Sequence, residues 1–320
     1  MTFSIIIPLY NKAPYIEKAL RSVCTQTYAD FECIVVDDGS SDNSLQIAEQ
    51  WLEANRSSSF RIIHQQNAGV STARNNGVAV SQGEYVCFLD ADDWWEPTFL
   101  EEMANLIAEF PDAGIYGTGY TIINETKHKT RVAPIGVSKG FERGYINYCA
   151  VYAKTLCMPL TSISVAIPRG VFDEMQGFKP QLKFGEDFDL WVRIALNCKV
   201  VFLNKPLANY NQDVDVFNRG VGRLHRPENH MLWNLGYLEE EEKSDPDYKQ
   251  LIDNLRTYGL LNYYLSLEYH EAAKQELAKV DWSRQTRKCW WLYKMPRWCL
   301  SLYRFVMKMG SRIKSLFVRL

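Results

Sequence analysis

The chain has 320 residues, of which 47% are hydrophobic and 23% charged, enough apolar residues to bury a sizeable core and too many for a disordered or collagen-like chain. The formal net charge is −2, but residues 284–320 hold ten Lys or Arg and no Asp or Glu, leaving 26 − 38 = −12 for the first 283. The acidic body argues against nucleic-acid binding, while the basic tail suits an anionic surface. No stretch reaches about 18 uninterrupted apolar residues, so none is expected to span a membrane. The eight cysteines are scattered, with no Cys-x-x-Cys pair and no secretory signal ahead of them, so they read as reduced thiols of a cytoplasmic protein.

Phe3 to Pro8 is an isoleucine-rich strand, and a helical pattern follows from Pro14 to about Gln26. Phe31 to Val36 is a second buried strand ending in Asp37-Asp38-Gly39-Ser40-Ser41-Asp42, with a helix from Ser44 to Ala54 behind it. Phe60 to His64, the turn at Asn67-Ala68-Gly69, a helix over Ser71 to Ser81 and a strand from Glu84 to Leu89 continue the alternation. Strands alternating with helices predict a parallel, doubly wound α/β sheet, whose ligands bind beyond the carboxyl ends of the strands. Asn11, Asp38 and Asp92 gather at that edge. A dinucleotide fold would place a glycine-rich turn after the first strand; Pro8-Leu9-Tyr10-Asn11-Lys12-Ala13 contains no glycine, which excludes a dehydrogenase.

The fourth strand delivers Asp90-Ala91-Asp92-Asp93 to solvent. Carboxylate oxygens suit hard cations such as Mg2+ or Mn2+, which reach a protein through one or two carboxylates while substrate phosphates supply further ligands. The competing reading is an acidic turn before a helix, and Asp93 is expected to cap the helix near Pro97. Pro111 to Lys139 should add strands that widen the sheet, Leu160 to Ile167 reads as another strand, and Pro168 to Met175 as a helical turn. Gly185-Glu186-Asp187-Phe188-Asp189 belongs to a loop before a helix over Leu190 to Asn197, and a strand from Val200 to Leu203 closes the core. Beyond 225 the spacing becomes helical.

Taken in order, Ile7-Pro8-Leu9-Tyr10-Asn11, Val36-Asp37-Asp38-Gly39-Ser40, Asn67-Ala68-Gly69 with Ala73-Arg74-Asn75, Gly83-Glu84-Tyr85 leading to Asp90-Ala91-Asp92-Asp93, and Gly185-Glu186-Asp187 resemble the family-two inverting glycosyltransferases of GT-A fold over roughly residues 1–210. The resemblance implies that Asp38 accepts a hydrogen bond from the donor's base, usually uracil, and that Pro8 and Tyr10 shape the nucleoside pocket with Asn11 beside them. It implies that Asp90 touches the ribose or the metal, and that Asp92 binds the cation bridging both phosphates. It assigns the general base to Asp187, with Glu186 nearer the acceptor or orienting the loop. The competing reading of Asp38 is a turn or N-cap residue before the helix near Ser44, a role that also suits Asp37, and Arg74 and Lys12 are candidate phosphate partners or solvated surface cations. Trp191 and Arg193 read as packing and an ion pair. A basic residue that some relatives carry after Tyr210 is missing from Asn211-Gln212-Asp213, and Arg219, Arg223, His225 and His230 receive no role. The Gln-x-x-Arg-Trp signature of processive synthases is absent too, so one transfer per encounter is expected.

The resemblance implies an α/β GT-A domain with a doubly wound mixed sheet over 1–225 (nucleotide half 1–110, acceptor half 111–225), followed by a helical region over 226–283 and a basic tail over 284–320. After Pro296, Trp298, Leu302, Phe305, Met309, Ile313, Leu316 and Leu320 recur at three or four, with Arg297, Arg304, Lys308, Arg312 and Arg319 opposite. Such a helix suits an anionic membrane interface, or docks on the acidic body. The expected function is metal-dependent (Mn2+ or Mg2+) inverting transfer from a nucleotide-diphosphate sugar, UDP-linked by preference, to a glycan or lipid-linked acceptor in cell-surface polysaccharide synthesis, by a cytoplasmic protein peripheral on the inner face of the cytoplasmic membrane. The alternatives are a silent nucleotide-sugar-binding scaffold and a nucleotidyltransferase, which lacks support in the absence of a glycine-rich basic triphosphate loop.

Overall fold

A computed structural model describes residues 1–55, 59–124, 126–213, 224–296, 298–300 and 302. The positions expected to carry the amphipathic tail lie outside the described residues, except 298–300 and 302, as do Arg219 and Arg223. The chain divides into two compact units, Met1–Glu241 and Glu242–Leu320.

The first unit is built on β1 (Phe3–Leu9), α1 (Ile16–Cys24), β2 (Phe31–Asp37), α2 (Ser44–Asn55), β3 (Phe60–His64), α3 (Val70–Val80) and β4 (Tyr85–Phe88). These strands pair in parallel in the order β3-β2-β1-β4. The run Phe-Ser-Ile-Ile-Ile-Pro-Leu of β1 is buried on both faces, which is why it is apolar almost throughout instead of alternating. Its register, Leu9 beside Asp37 and Ile6 beside Phe88, brings the loops after β1, β2 and β4 to one edge.

The sheet continues through β5 (Trp94–Trp95), α4 (Phe99–Glu109), β6 (Ala113–Asn124), β7 (Lys129–Val132), β8 (Arg143–Ile146), α5 (Tyr148–Thr155), β9 (Val165–Pro168), α6 (Arg169–Glu174), α7 (Glu186–Asn197) and β10 (Lys199–Asn211). Antiparallel pairs of β9 with β4 and β6, of β7 with β6, and of β5 and β8 with β10 make it mixed, as expected.

Three local expectations change. Leu160 to Ile167 is not one strand: Thr161 and Ser164 cap a 3-10 turn over Ser162–Ser164 before β9 begins, because hydroxyl side chains compete for the backbone bonds a strand would need. The helix expected from Leu190 starts at Glu186, so the carboxylate pair occupies its first turn, where the macrodipole favours anions. The closing strand runs to Asn211, with register shifts around Pro206, and reaches β5, a pair the sequence pattern did not announce. There the Asn211 N–H donates to Asp93 Oδ1 at 2.7 Å. Asp93 therefore anchors β10 and does not cap α4, whose N-cap is Thr98.

The second unit contains α9 (Pro246–Gly259), α10 (Leu261–Leu265), α11 (His270–Leu277) and α12 (Arg287–Lys294), and the short α8 (Glu239–Ser244) spans its start. Asp245 caps α9 by accepting from the Asp247 and Tyr248 N–H groups, with Pro246 at the first helical position, where a missing N–H costs nothing.

Candidate active site

The loop after β1 is locked before any ligand arrives. Asn11 takes a left-handed φ of 51°, a conformation asparagine tolerates better than most residues. Its Oδ1 accepts from the Ser41 N–H at 2.8 Å and the Asp42 N–H at 3.3 Å, and its own N–H donates to Ser40 Oγ at 3.2 Å. The Lys12 N–H donates to Ser44 Oγ at 2.6 Å. Asn11 thus ties the β1 loop to the β2 loop, with Pro8 half-buried and Tyr10 exposed beside it.

Asp37 and Asp38 separate cleanly. Asp37 closes the turn by accepting from the Ser40 N–H at 3.2 Å. Asp38 is buried; Oδ1 accepts from Gln65 Nε2 and the Ala68 N–H, both at 2.7 Å, and Oδ2 from the Gly69 N–H at 2.9 Å. With a single donor, Oδ2 keeps acceptor capacity for one more N–H. Gly69 stands at φ 92° as the N-cap of α3, and a Cβ there would come within 2.9 Å of Lys183 Nζ. Lys183, which the sequence reading passed over, therefore reaches the Asp38 side of the edge from a loop more than a hundred residues away.

Each carboxylate of the Asp-x-Asp pair carries a basic partner. Lys12 Nζ lies 2.7 Å from Asp92 Oδ2, and both side chains are largely buried. Arg74, on α3 and only 2% exposed, reaches Asp90 Oδ1 through Nη2 at 2.6 Å and Glu186 Oε1 through Nη1 at 3.1 Å. Nη2 also donates to Ser162 Oγ at 3.2 Å. Neither cation is the solvated surface residue that was one of its two readings. Burial opposes the Arg74 charge, but Asp90 and Glu186 hold its pKa above the ordinary arginine value. The next residue works in parallel: Asn75 Nδ2 donates to the Phe178 carbonyl at 2.7 Å and its Oδ1 accepts the Phe178 N–H at 3.0 Å. Adjacent residues of one helix thereby hold both Asp90 and the segment leading to the Glu186-Asp187 pair.

At that pair, Gly185 adopts φ 78° as the N-cap of α7, against Met231, where a Cβ would collide. Asp187 is partly buried and accepts the Phe188 N–H at 2.7 Å. Burial, then the neighbouring Glu186, push its pKa up to about 7, against the opposing pull of Arg74. The helix dipole is outweighed. Burial, then Tyr152 and Asp187, raise the Tyr148 phenol well above its usual value, and burial followed by Asp187 raises that of Tyr152. Tyr148 Oη and Arg74 Nε are buried without a hydrogen-bond partner among the described residues, the condition in which a ligand or water is wanted.

The remaining residues are structural. Asp189 is fully buried between Lys179 Nζ at 2.9 Å and Arg193 Nη2 at 2.8 Å, and Tyr237 Oη donates to it at 2.6 Å. Trp191 is fully buried, so it and Arg193 do what their helical spacing implied. His230 is buried against Phe184, accepts the Leu232 N–H through Nδ1, and is held down to about 4 by burial and then His225.

Asp90 and Asp92 offer hard oxygen donors, and their crowding with Asp93 is visible electrostatically. Burial first, with Lys12 countering and Asp90 adding, raises the Asp92 pKa. Burial followed by Asp92 and Asp90 raises that of Asp93 well above the carboxylate range. No group of three or more His, Cys, Asp or Glu among the described residues is arranged to hold a metal ion. Asp90 and Asp92 by themselves would supply two of the oxygen ligands that a divalent cation takes, leaving the rest of its shell to other groups.

Residues 4–169 match the family described as Glycosyl transferase family 2. The chain belongs to that family. It is 34% identical over 213 residues to the glycosyltransferase GlyA of Streptococcus pneumoniae, covering 65% of this chain and 30% of that relative, so the chain spans about a third of its length. Among solved structures it resembles S. aureus TarS 1–349 in complex with UDP-GlcNAc, at 22% identity and a TM-score of 0.72 over 88% of this chain and 82% of that one. It also resembles the mannosyltransferase PcManGT of Pyrobaculum calidifontis in complex with GDP-Man and Mn2+, at 18% identity and a TM-score of 0.57 over 91% of this chain and 78% of that one. The fold of this family-two member is GT-A.

Proposed function

We propose that the chain transfers a sugar, with inversion, from a nucleotide-diphosphate donor to a glycan or lipid-linked acceptor, as a step in building a cell-surface polysaccharide. The observation that carries this reading is Arg74, which holds both Asp90, 16 residues further along the chain, and Glu186, 112 residues further along. It sets a carboxylate pair beside the donor edge, where an acceptor hydroxyl needs a base. Asp38 accepts an N–H of the donor's base, and Pro8 and Tyr10 border the nucleoside. UDP is favoured because a carboxylate selects the N–H edge of uracil and because TarS is a UDP-GlcNAc complex; the GDP-Man complex of PcManGT keeps guanine in the test. Asp90 and Asp92 would hold Mn2+ or Mg2+, which when bound supplies Lewis-acid stabilisation of the departing diphosphate. Asp187, raised to about 7, takes the acceptor's proton as its oxygen attacks the anomeric carbon from the face opposite the diphosphate. A base poised near the working pH is the efficient choice. Glu186, held by Arg74, orients that end of the site.

Peripheral membrane contact from the cytoplasmic side belongs to the same reading. No helix among the described residues is long and apolar enough to cross a membrane. Trp291 and Trp298 are 60% and 70% exposed, and Arg287, Lys288 and Lys294 are exposed close by in sequence, a composition suited to an anionic interface. The tail over 297–320 would extend it.

Thermal stabilisation by UDP, GDP, dTDP and CDP, with and without Mn2+, tests the reading in the wild-type protein and Asp92→Ala. Metal-dependent stabilisation by one nucleotide, lost in the variant, is expected. Silence with all four would overturn the donor site. Stabilisation without diphosphate release in the presence of any acceptor extract would instead favour a binding scaffold.

A further inference from the structure

The Lys12 ammonium is paired with Asp92, one of the two carboxylates assigned above to a divalent ion. Its Nζ is 2.7 Å from Asp92 Oδ2, with the two side chains 16% and 17% exposed, so little water stands between or around them. The contact is built in: the left-handed turn at Asn11 and the Lys12 N–H bond to Ser44 Oγ fix the backbone from which the side chain departs. The neighbouring carboxylates are engaged as well. Asp90 is held by Arg74 and Ser162, and Asp93 is buried beneath the Asn211 N–H. A divalent ion approaching Asp92 would meet an ammonium already there, and two cations on one carboxylate repel each other strongly in a part-buried site. A diphosphate changes the balance, because its anionic oxygens give the ammonium another partner and the divalent ion further ligands.

We propose that Lys12 stands in for the divalent cation on Asp92 while the donor site is empty and moves to the donor's diphosphate when it fills, so that cation and nucleotide bind as a pair. The inference rests on the metal-assisted donor reading above and adds to it an obligatory coupling located in one residue. Coupling of this kind is reciprocal: whatever factor UDP adds to Mn2+ affinity, Mn2+ must add to UDP affinity.

The test counts free Mn2+ by electron paramagnetic resonance during titration of the wild-type protein, Lys12→Gln and Lys12→Met, each with and without UDP, with circular dichroism confirming that each variant is folded. Without UDP, both variants should bind Mn2+ about tenfold or more tightly than wild type, a coupling of ordinary size. UDP should tighten Mn2+ binding strongly in wild type and far less in either variant. Equal Mn2+ affinity in wild type and variants without UDP would overturn the role of Lys12 while leaving the metal site intact. Absence of bound Mn2+ in every protein even with UDP would overturn the metal reading and this inference together.

Discussion

Two buried charge networks in this chain use the same residue types to opposite effect. In the second unit Glu242, Asp253 and Glu276 meet Lys249, Arg256 and Lys279, three anions against three cations. Although burial opposes it, the hydrogen bond from Arg256 and the charges of Arg256 and Lys249 hold the Glu242 carboxyl below its usual range. Among the described residues of the candidate active site, Asp90, Asp92, Asp93, Glu186 and Asp187 stand against Lys12 and Arg74, five anions against two cations. There Asp92, Asp93 and Asp187 are all pushed up. A balanced network locks a unit; an unbalanced one holds carboxylates in a protonation state, or with a counter-ion, that a ligand can change.

The largest expected effect tests the unbalanced network at its base. Asp187→Asn should lower acceptor-dependent diphosphate release about 10²- to 10⁴-fold, the usual contribution of a general base, while leaving UDP-induced thermal stabilisation in place. In wild type kcat/KM should climb with pH and level off above about pH 7, where Asp187 is ionised. A variant that retains turnover would mean the surplus of anions serves something other than proton transfer.

Arg256→Ala probes the balanced side. It leaves three buried carboxylates short of a partner and should cost on the order of 3–5 kcal/mol in chemical denaturation, with UDP affinity in the surviving folded fraction unchanged. Next in size, Asp38→Asn exchanges a charged acceptor for a neutral one and should weaken UDP binding by about 1.5–3 kcal/mol in calorimetric titration. An unaltered affinity would remove Asp38 from the base pocket.

The finest discrimination is the sign of stability against pH. Because the folded-state pKa of Asp187 stands above its value of 3.8 in water, ionisation costs stability as pH rises from near 4 to near 7, at most roughly 4 kcal/mol for a carboxylate partly open to solvent. Asp187→Asn should accordingly melt higher than wild type at pH 8 and no higher at pH 4. Glu242 shifts the other way, so its contribution is complete above its unfolded pKa and lost as pH falls through the folded one. Glu242→Gln should melt lower than wild type at pH 7, with the gap closing in acid. Melting differences of the same sign would erase the distinction between the networks.

Much of the donor half was legible because it is encoded locally. Apolar runs too continuous for one-sided strands, alternating with helices, give a parallel sheet, and such a sheet sends its loops to one edge. Asp38, Asp90 and Asp92 lie where that rule puts them. The turn at Ser162–Ser164 was readable in principle from its hydroxyl cluster, Thr161-Ser162-Ile163-Ser164, yet the flanking apolar residues made it look like a strand. Neither the reach of Lys183 to Gly69 nor the hold of Arg74 on Glu186 and of Asn75 on Phe178 leaves any periodic trace, because each joins residues about a hundred positions apart.

The sequence by itself determined the architecture and the chemical types at the site: strand-end carboxylates suited to hard cations, an acidic pair at a helix start, and a basic terminal segment. Only the tertiary structure decided the electrostatics. Whether Lys12 and Arg74 are surface cations or buried counter-ions, whether Asp93 caps a helix or anchors a strand, and whether Asp187 titrates near 4 or near 7 depend on desolvation and on neighbours brought in from distant segments. Those energies vary steeply with distance and burial, which no spacing in a sequence specifies.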